Sequence, residues 1–205
     1  ISDINETNLA FMLVVSLYAI YGLVDDLVDI GRKLKLIFPV LFSYPLLGVI
    51  NVNSVWIPLM GDLDLTGEFY SNIFWNDIFK IVIIPVYVMV VSNLVNMHSG
   101  YNGLQSGLSI IVLFTLIVKS ATDNKVEEIY PSIAFLGAMS AFWFFNRYPS
   151  KVFEGNIGSL LFGSVIGCTI VIQNYWWLGF FILIPHTLNF VLWIIWLVLI
   201  KMYPD

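Results

Sequence analysis

The sequence predicts an all-α, polytopic membrane bundle of about seven spans, and three observations carry that expectation. Of 205 residues, 59% are hydrophobic and only 11% charged, where soluble domains carry about 25% charged residues. Seven apolar runs come near the roughly 20 residues that a helix needs to cross hydrocarbon, where the backbone must satisfy its own hydrogen bonds. Three polar clusters stand at the ends of such runs: Asp25-Asp26-x-x-Asp29, Asn96 through Gly103, and Glu154-Gly155-Asn156-x-Gly158.

The runs are 7–23, 36–50, 79–95, 104–121, 130–146, 158–173 and 177–200. The first ends at the aspartates, and Lys35 opens the second, placed so that its stem can lie in lipid while the ammonium snorkels to the interface. The connection 51–78 holds Trp56, Phe69, Tyr70, Phe74 and Trp75 with turn-prone Gly61-Asp62 and Thr66-Gly67, so it is expected at the outer interface as a short hairpin. Gly163-x-x-x-Gly167 in the sixth run reads as helix packing. Pro185-His186-x-x-Asn189 reads as a polar kink in the last, its groups satisfied by neighbouring helices.

Each helix reverses direction, so placing the Asp25 end inside puts 24–35, 96–103, 147–157 and the tail from Lys201 on the same side. Those segments hold Arg32, Lys33, Lys35, Arg147, Lys151 and Lys201, against Lys80, Lys119 and Lys125 outside. That bias fits the positive-inside rule and gives an integral membrane protein whose three clusters share a cytoplasmic face. The net charge of −5 excludes a nucleic-acid partner, which calls for a clustered basic face. The single Cys168 can form no internal disulfide, which leaves the redox compartment open. No basic stretch with a cleavage site precedes the first run, so no signal peptide is expected.

If the first helix continues past residue 25, Asp29 shares a face with Asp25 and Asp26. Their mutual repulsion then calls for a cation, and Mg²⁺ held by one or two carboxylates plus substrate phosphates is the common solution. The alternative is a solvated helix end paired to Arg32 and Lys33, although acids at a helix C-terminus oppose the macrodipole. Lys35 suits a phosphate contact. Asn93 and Asn96, one turn apart, offer amide oxygens to a metal or donors to a ligand, whereas His98 has no matching ligand cluster for zinc. The glycine-bounded turn at 155–158, leading into a helix, suits an anion. No phosphate loop and no dinucleotide fingerprint occurs.

Together these segments resemble the polyprenyl-phosphate N-acetylhexosamine-1-phosphate transferases, above all the archaeal and eukaryotic branch that acts on dolichyl phosphate. Gly22-x-x-Asp25-Asp26 with Lys35-Leu36-x-x-Pro39, Asn96-x-x-x-Gly100-x-Asn102-Gly103-Leu104, and Tyr148-Pro149-Ser150-Lys151-Val152-Phe153-x-Gly155 look like that family's three motifs. The resemblance implies Mg²⁺-dependent (or Mn²⁺-dependent) transfer of N-acetylglucosamine-1-phosphate from UDP-GlcNAc to a membrane polyprenyl or dolichyl phosphate, with release of UMP, the first step of lipid-linked oligosaccharide assembly. It implies Asp25 and Asp26 as the catalytic acids, Lys35 on phosphate, Asn96 and Asn156 at the metal, and Gly100 and Asn102 at the nucleotide. Asp29, Glu154 and Lys151 become accessory groups.

Two departures stand out. Asn156 occupies the position where the family ordinarily has a metal-binding aspartate, which implies weaker Mg²⁺ binding unless Glu154 reaches in. The family's earlier spans and its late histidine- and arginine-rich loop are missing, which implies that 1–205 is a single membrane domain truncated at both ends. The membrane implied is the plasma membrane of a prokaryote or the endoplasmic reticulum of a eukaryote. The rival classes are a transporter or channel, which would place its charges at the bilayer midplane, and a non-catalytic relative.

Overall fold

A computed structural model describes residues 5–28, 30–31, 33–70 and 73–203. Its helices are α1 (Glu6–Val28), α2 (Leu34–Phe42), α3 (Trp75–Ile78), α4 (Ile84–Asn96), α5 (Leu104–Thr122), α6 (Tyr130–Asn146), α7 (Gly155–Gln173), α8 (Trp176–Ile182) and α9 (Ile184–Met202). A π-helical turn, Phe79–Ile83, joins α3 to α4. The expected all-α membrane bundle is borne out.

Among the described residues six helices, not seven, are long and apolar enough to cross a membrane. Segment 36–50 forms only a shorter apolar helix, Leu34–Gly48, in which α2 tightens into a 3₁₀ turn at Tyr44–Gly48. Pro39 lies inside α2 and Pro45 opens the 3₁₀ turn. Each removes a backbone donor, so a regular helix cannot be sustained through both. The last run also divides: α8 ends at Ile182, and Pro185 sits in the first turn of α9. The Asn189 amide then donates to the Met97 carbonyl at 3.4 Å. By residue 189 the chain has therefore already reached the level of the Asn96 loop, well before the expected tail at Lys201.

Helix α7 is the axis of the bundle. Along it, Ser159, Gly163, Ser164, Gly167, Cys168 and Thr169 are all buried, because small side chains let neighbouring backbones come close. A Cβ on Gly163 would stand 2.5 Å from Ser92 Cα of α4, and one on Gly22 of α1 would stand 2.5 Å from the Asn156 carbonyl. Either would drive the helices apart. Ser132 of α6 and Thr169 of α7 share a hydrogen bond of 2.8 Å inside the core. Tyr18 of α1 is fully buried and donates to the Pro39 carbonyl at 2.7 Å, which ties α2 to α1.

At the opposite end, the expected hairpin is present. Strands β1 (Ser54–Ile57) and β2 (Gly61–Asp64) pair antiparallel, Ser54 facing Asp64 and Ile57 facing Gly61. Strands β3 (Glu68–Tyr70) and β4 (Ile73–Phe74) form a second small pair. The Asn174 amide, in the turn between α7 and α8, donates to the Ser54 carbonyl at 3.1 Å and pins the first hairpin to the bundle.

Candidate active site

The three polar clusters meet at the N-terminal end of α7. Helix α1 runs on through Val28, so Asp25 and Asp26 sit on its last turns and diverge by about 100° around the helix. They find different partners. Asp25, only 4% exposed, forms an ion pair with Lys35 at 2.9 Å and accepts the Ile30 amide at 2.9 Å. A carboxylate this buried requires such a partner. Asp26 reaches across to α7, where its two oxygens accept the backbone N–H groups of Asn156 (2.9 Å) and Ile157 (3.0 Å). The anion position of that helix end, with its free donors and positive dipole, is thus filled by a side chain of the protein. Gly155 makes this possible: its φ is +59°, and a Cβ there would stand 2.6 Å from an Asp26 oxygen.

The second cluster joins through Ser159, whose hydroxyl donates to Asn96 Oδ1 at 2.5 Å and also lies 2.8 Å from the Gly155 carbonyl. Asn146, buried at the end of α6, locks the second and third clusters together. Its Oδ1 accepts the Gly103 amide (3.0 Å) and the Ser106 hydroxyl (2.7 Å), while its Nδ2 donates to the Val152 carbonyl (3.0 Å). Gly103 has φ +75°, and a Cβ there would stand 2.8 Å from Arg147 Cα. Its role is therefore to let the asparagine turn press against the backbone at the end of α6.

Of the residues named from sequence, Asp25, Asp26, Lys35, Asn96 and Asn156 are gathered at this end of the bundle. Gly100, Asn102 and Lys151 lie on its exposed outer turns. Asp29 and Arg32 fall outside the described residues. Glu154 is 4% exposed with Oε2 buried and unpartnered, and desolvation raises its pKa from 4.5 to about 8. Ser159 and Asn146 were not singled out. An isolated serine or asparagine at a helix end carries no spacing signal, and only the packing of α7 and α6 reveals their part.

The expectation for His186 is corrected. Its ring lies 4.5 Å from that of His98, and both of its nitrogens are buried without partners. Burial also holds His98 toward its neutral form. Beside this end, a cavity of about 430 Å³ runs between α4, α8 and α9, lined by apolar groups such as Val90, Leu94, Met97, Leu183 and Phe190, with Asn93 among the few polar ones.

The profile described as glycosyl transferase family 4 matches residues 8–174. The chain belongs to that family. A Saccharolobus solfataricus family relative, provisionally named UDP-N-acetylglucosamine–dolichyl-phosphate N-acetylglucosaminephosphotransferase, is 32% identical over 89% of this chain and 55% of its own length. A Sulfolobus acidocaldarius protein of the same provisional name is 33% identical over 83% of this chain and 50% of its own length. A phospho-N-acetylmuramoyl-pentapeptide-transferase of Clostridium beijerinckii is 36% identical over 73% of this chain and 47% of its own length. The chain spans about half the length of the curated relatives it matches.

Proposed function

We propose that this chain is the membrane core of an enzyme that transfers N-acetylglucosamine-1-phosphate from UDP-GlcNAc to a polyprenyl or dolichyl phosphate. The observation that carries the reading is the convergence of the three clusters on the α7 end, where Asp26 holds Asn156 and Ile157, and Ser159 holds Asn96. Family membership and the names of the relatives agree with it. So does the neighbouring cavity, which offers an apolar chain a place beside a polar head.

A phosphate oxygen of the lipid attacks the phosphorus that bears the sugar. The P–O bond to the uridine phosphate breaks in line, and UMP departs. Asp26 acts as a positioning group, since both of its oxygens already hold α7. Asp25 is the group free to change partners: as Lys35 turns from it to a substrate phosphate, its carboxylate faces the lipid phosphate and takes any proton left there. Asn96 and Asn156 are the residues that would hold a metal. They offer neutral hard oxygens, while Asp25 and Asp26 are engaged with Lys35 and α7, a set that fits a Mg²⁺ (or Mn²⁺) arriving with its diphosphate. A Mg²⁺ held there would supply positive charge against the phosphates of the reacting groups.

The test is UMP release by the full-length gene product supplied with UDP-GlcNAc and polyprenyl phosphate across a Mg²⁺ titration. Asn156→Asp is expected to lower the Mg²⁺ concentration needed by about tenfold, because a second-sphere or direct ligand gains a full charge. An unchanged titration removes Asn156 from the metal site, and no UMP under any condition removes the activity.

A further inference from the structure

The β1–β2 hairpin ends in a turn that contacts within the protein do not explain. The Met60 N–H donates to the Ile57 carbonyl at 3.1 Å, with Pro58 second in the turn and Leu59 third at φ +71°. That is the pattern of a type II turn, whose third position calls for glycine or asparagine because other side chains are strained there. Nothing among the described residues offsets the strain: Leu59 is 106% exposed, and Met60 beside it 79%. A bulky apolar side chain held in a disfavoured conformation, with no protein around it, points to an environment outside the chain.

Position and charge select that environment. The base of the hairpin is fixed, since the Leu65 N–H donates to the Asn53 carbonyl at 2.8 Å and the Asn174 amide to the Ser54 carbonyl, while Val55 and Leu65 are buried. Next to the tip, Ile57 and Leu63 share the wall of a cavity with Ile83 of the span Trp75–Asn96 and Phe180 of α8, both exposed. The tip therefore leaves the bundle at a lipid-facing edge. No charged residue stands between Lys35 and Asp62, and Trp56, exposed on β1, is a ring of the kind that settles at a membrane interface. The first acid, Asp62, comes only on the returning strand, opposite Trp56.

We propose that Pro58, Leu59 and Met60 insert into the leaflet on the hairpin side, at the boundary of headgroups and acyl chains, and anchor this end of the bundle to lipid. Size decides between lipid and a partner protein. A stable protein interface takes about 20–30 residues a side, whereas a few apolar side chains suffice to enter a membrane boundary. The anchor requires only the membrane bundle and is independent of the transfer reaction.

The experiment is an EPR accessibility measurement on the full-length protein in phosphatidylcholine nanodiscs, with cysteines outside residues 1–205 replaced. A nitroxide is attached at Leu59→Cys or, as the aqueous reference, at Asp62→Cys; Cys168 is buried and stays unlabelled. At position 59 the label is expected to collide more with oxygen, which concentrates in lipid, than with a nickel chelate, which stays in water. At position 62 the order should reverse. A label at Met60→Cys should behave as at position 59, and adding Leu59→Asn, which suits the turn, should lower its oxygen-to-nickel ratio by about tenfold, the effect of losing one buried leucine. Nickel-dominated collisions at position 59 overturn the anchor. So does a label screened from both reagents, which would mean a protein cover, and so does a Met60→Cys label that Leu59→Asn leaves unchanged. Should Leu59→Asn not fold, the contrast between positions 59 and 62 decides.

Discussion

Helices α7 and α9 have the same length and similar apolar character, yet buried positions make up 67% of the most apolar stretch of one and 6% of the other. The difference is in side-chain size. Helix α7 presents glycine, serine, cysteine and threonine at close spacing, so α1 and α4 can pack against its backbone. Helix α9 presents Trp193, Trp196, Leu197 and Leu199, and every side chain from Val191 to Tyr203 is exposed. In lipid no hydrophobic force favours helix association, so contact follows the fit of small residues. One helix is built to be surrounded by protein, the other by lipid.

The strongest way to break that contrast is to enlarge the axis. Gly163→Leu places branched carbon where a Cβ already stands 2.5 Å from Ser92 Cα. Overpacking of this kind costs about 3 kcal/mol or more, expected as loss of monodisperse protein on gel filtration in detergent. Next in size is Asn146→Ala, which strips partners from Gly103, Ser106 and Val152. Leaving buried polar groups unpaired costs about 1–3 kcal/mol, to be read as a lower Tm with faster exchange of the Gly103 amide.

Glu154 tests the α7 end itself. Its folded pKa, raised to about 8, lies above the ordinary 4.5, so the unfolded chain loses its proton first and stability falls as pH climbs through that window. Below it the group is neutral in both states and carries no penalty. Glu154→Gln should therefore raise Tm clearly at about pH 8 and little at about pH 4.5. An equal effect at both values would mean that the carboxyl is not held neutral. Smallest is Trp193→Ala on α9: the exposed ring stacks on Phe190 of its own helix at 6.2 Å, so a shift within about 0.5 kcal/mol is expected. A larger drop in Tm would show that α9 packs on something after all.

Much of the candidate site was legible because its residues break an apolar background. Asp25, Asp26, Lys35, Asn96 and Asn156 announce themselves as polar groups at the ends of apolar runs. Ser159 and Asn146 did not, since the partners that tie them to the asparagine turn and α5 lie 63 and 40 or more residues away in sequence. The pairing of Asp26 with α7 was equally hidden, for the carboxylate was expected at a ligand and is found on backbone amides 130 and 131 residues on. The short helix at 34–48 was overestimated because hydropathy registers apolar content and is blind to the missing donors of Pro39 and Pro45.

What the amino-acid order determined alone is therefore the medium and the period: a chain this apolar must enter lipid, must satisfy its backbone in helices, and must carry its polar groups at their ends. What the tertiary structure decided is which helix those ends face. Close approach through Gly22, Gly103, Gly155 and Gly163 depends on the shapes of two surfaces at once, and a linear sequence describes each surface only by itself.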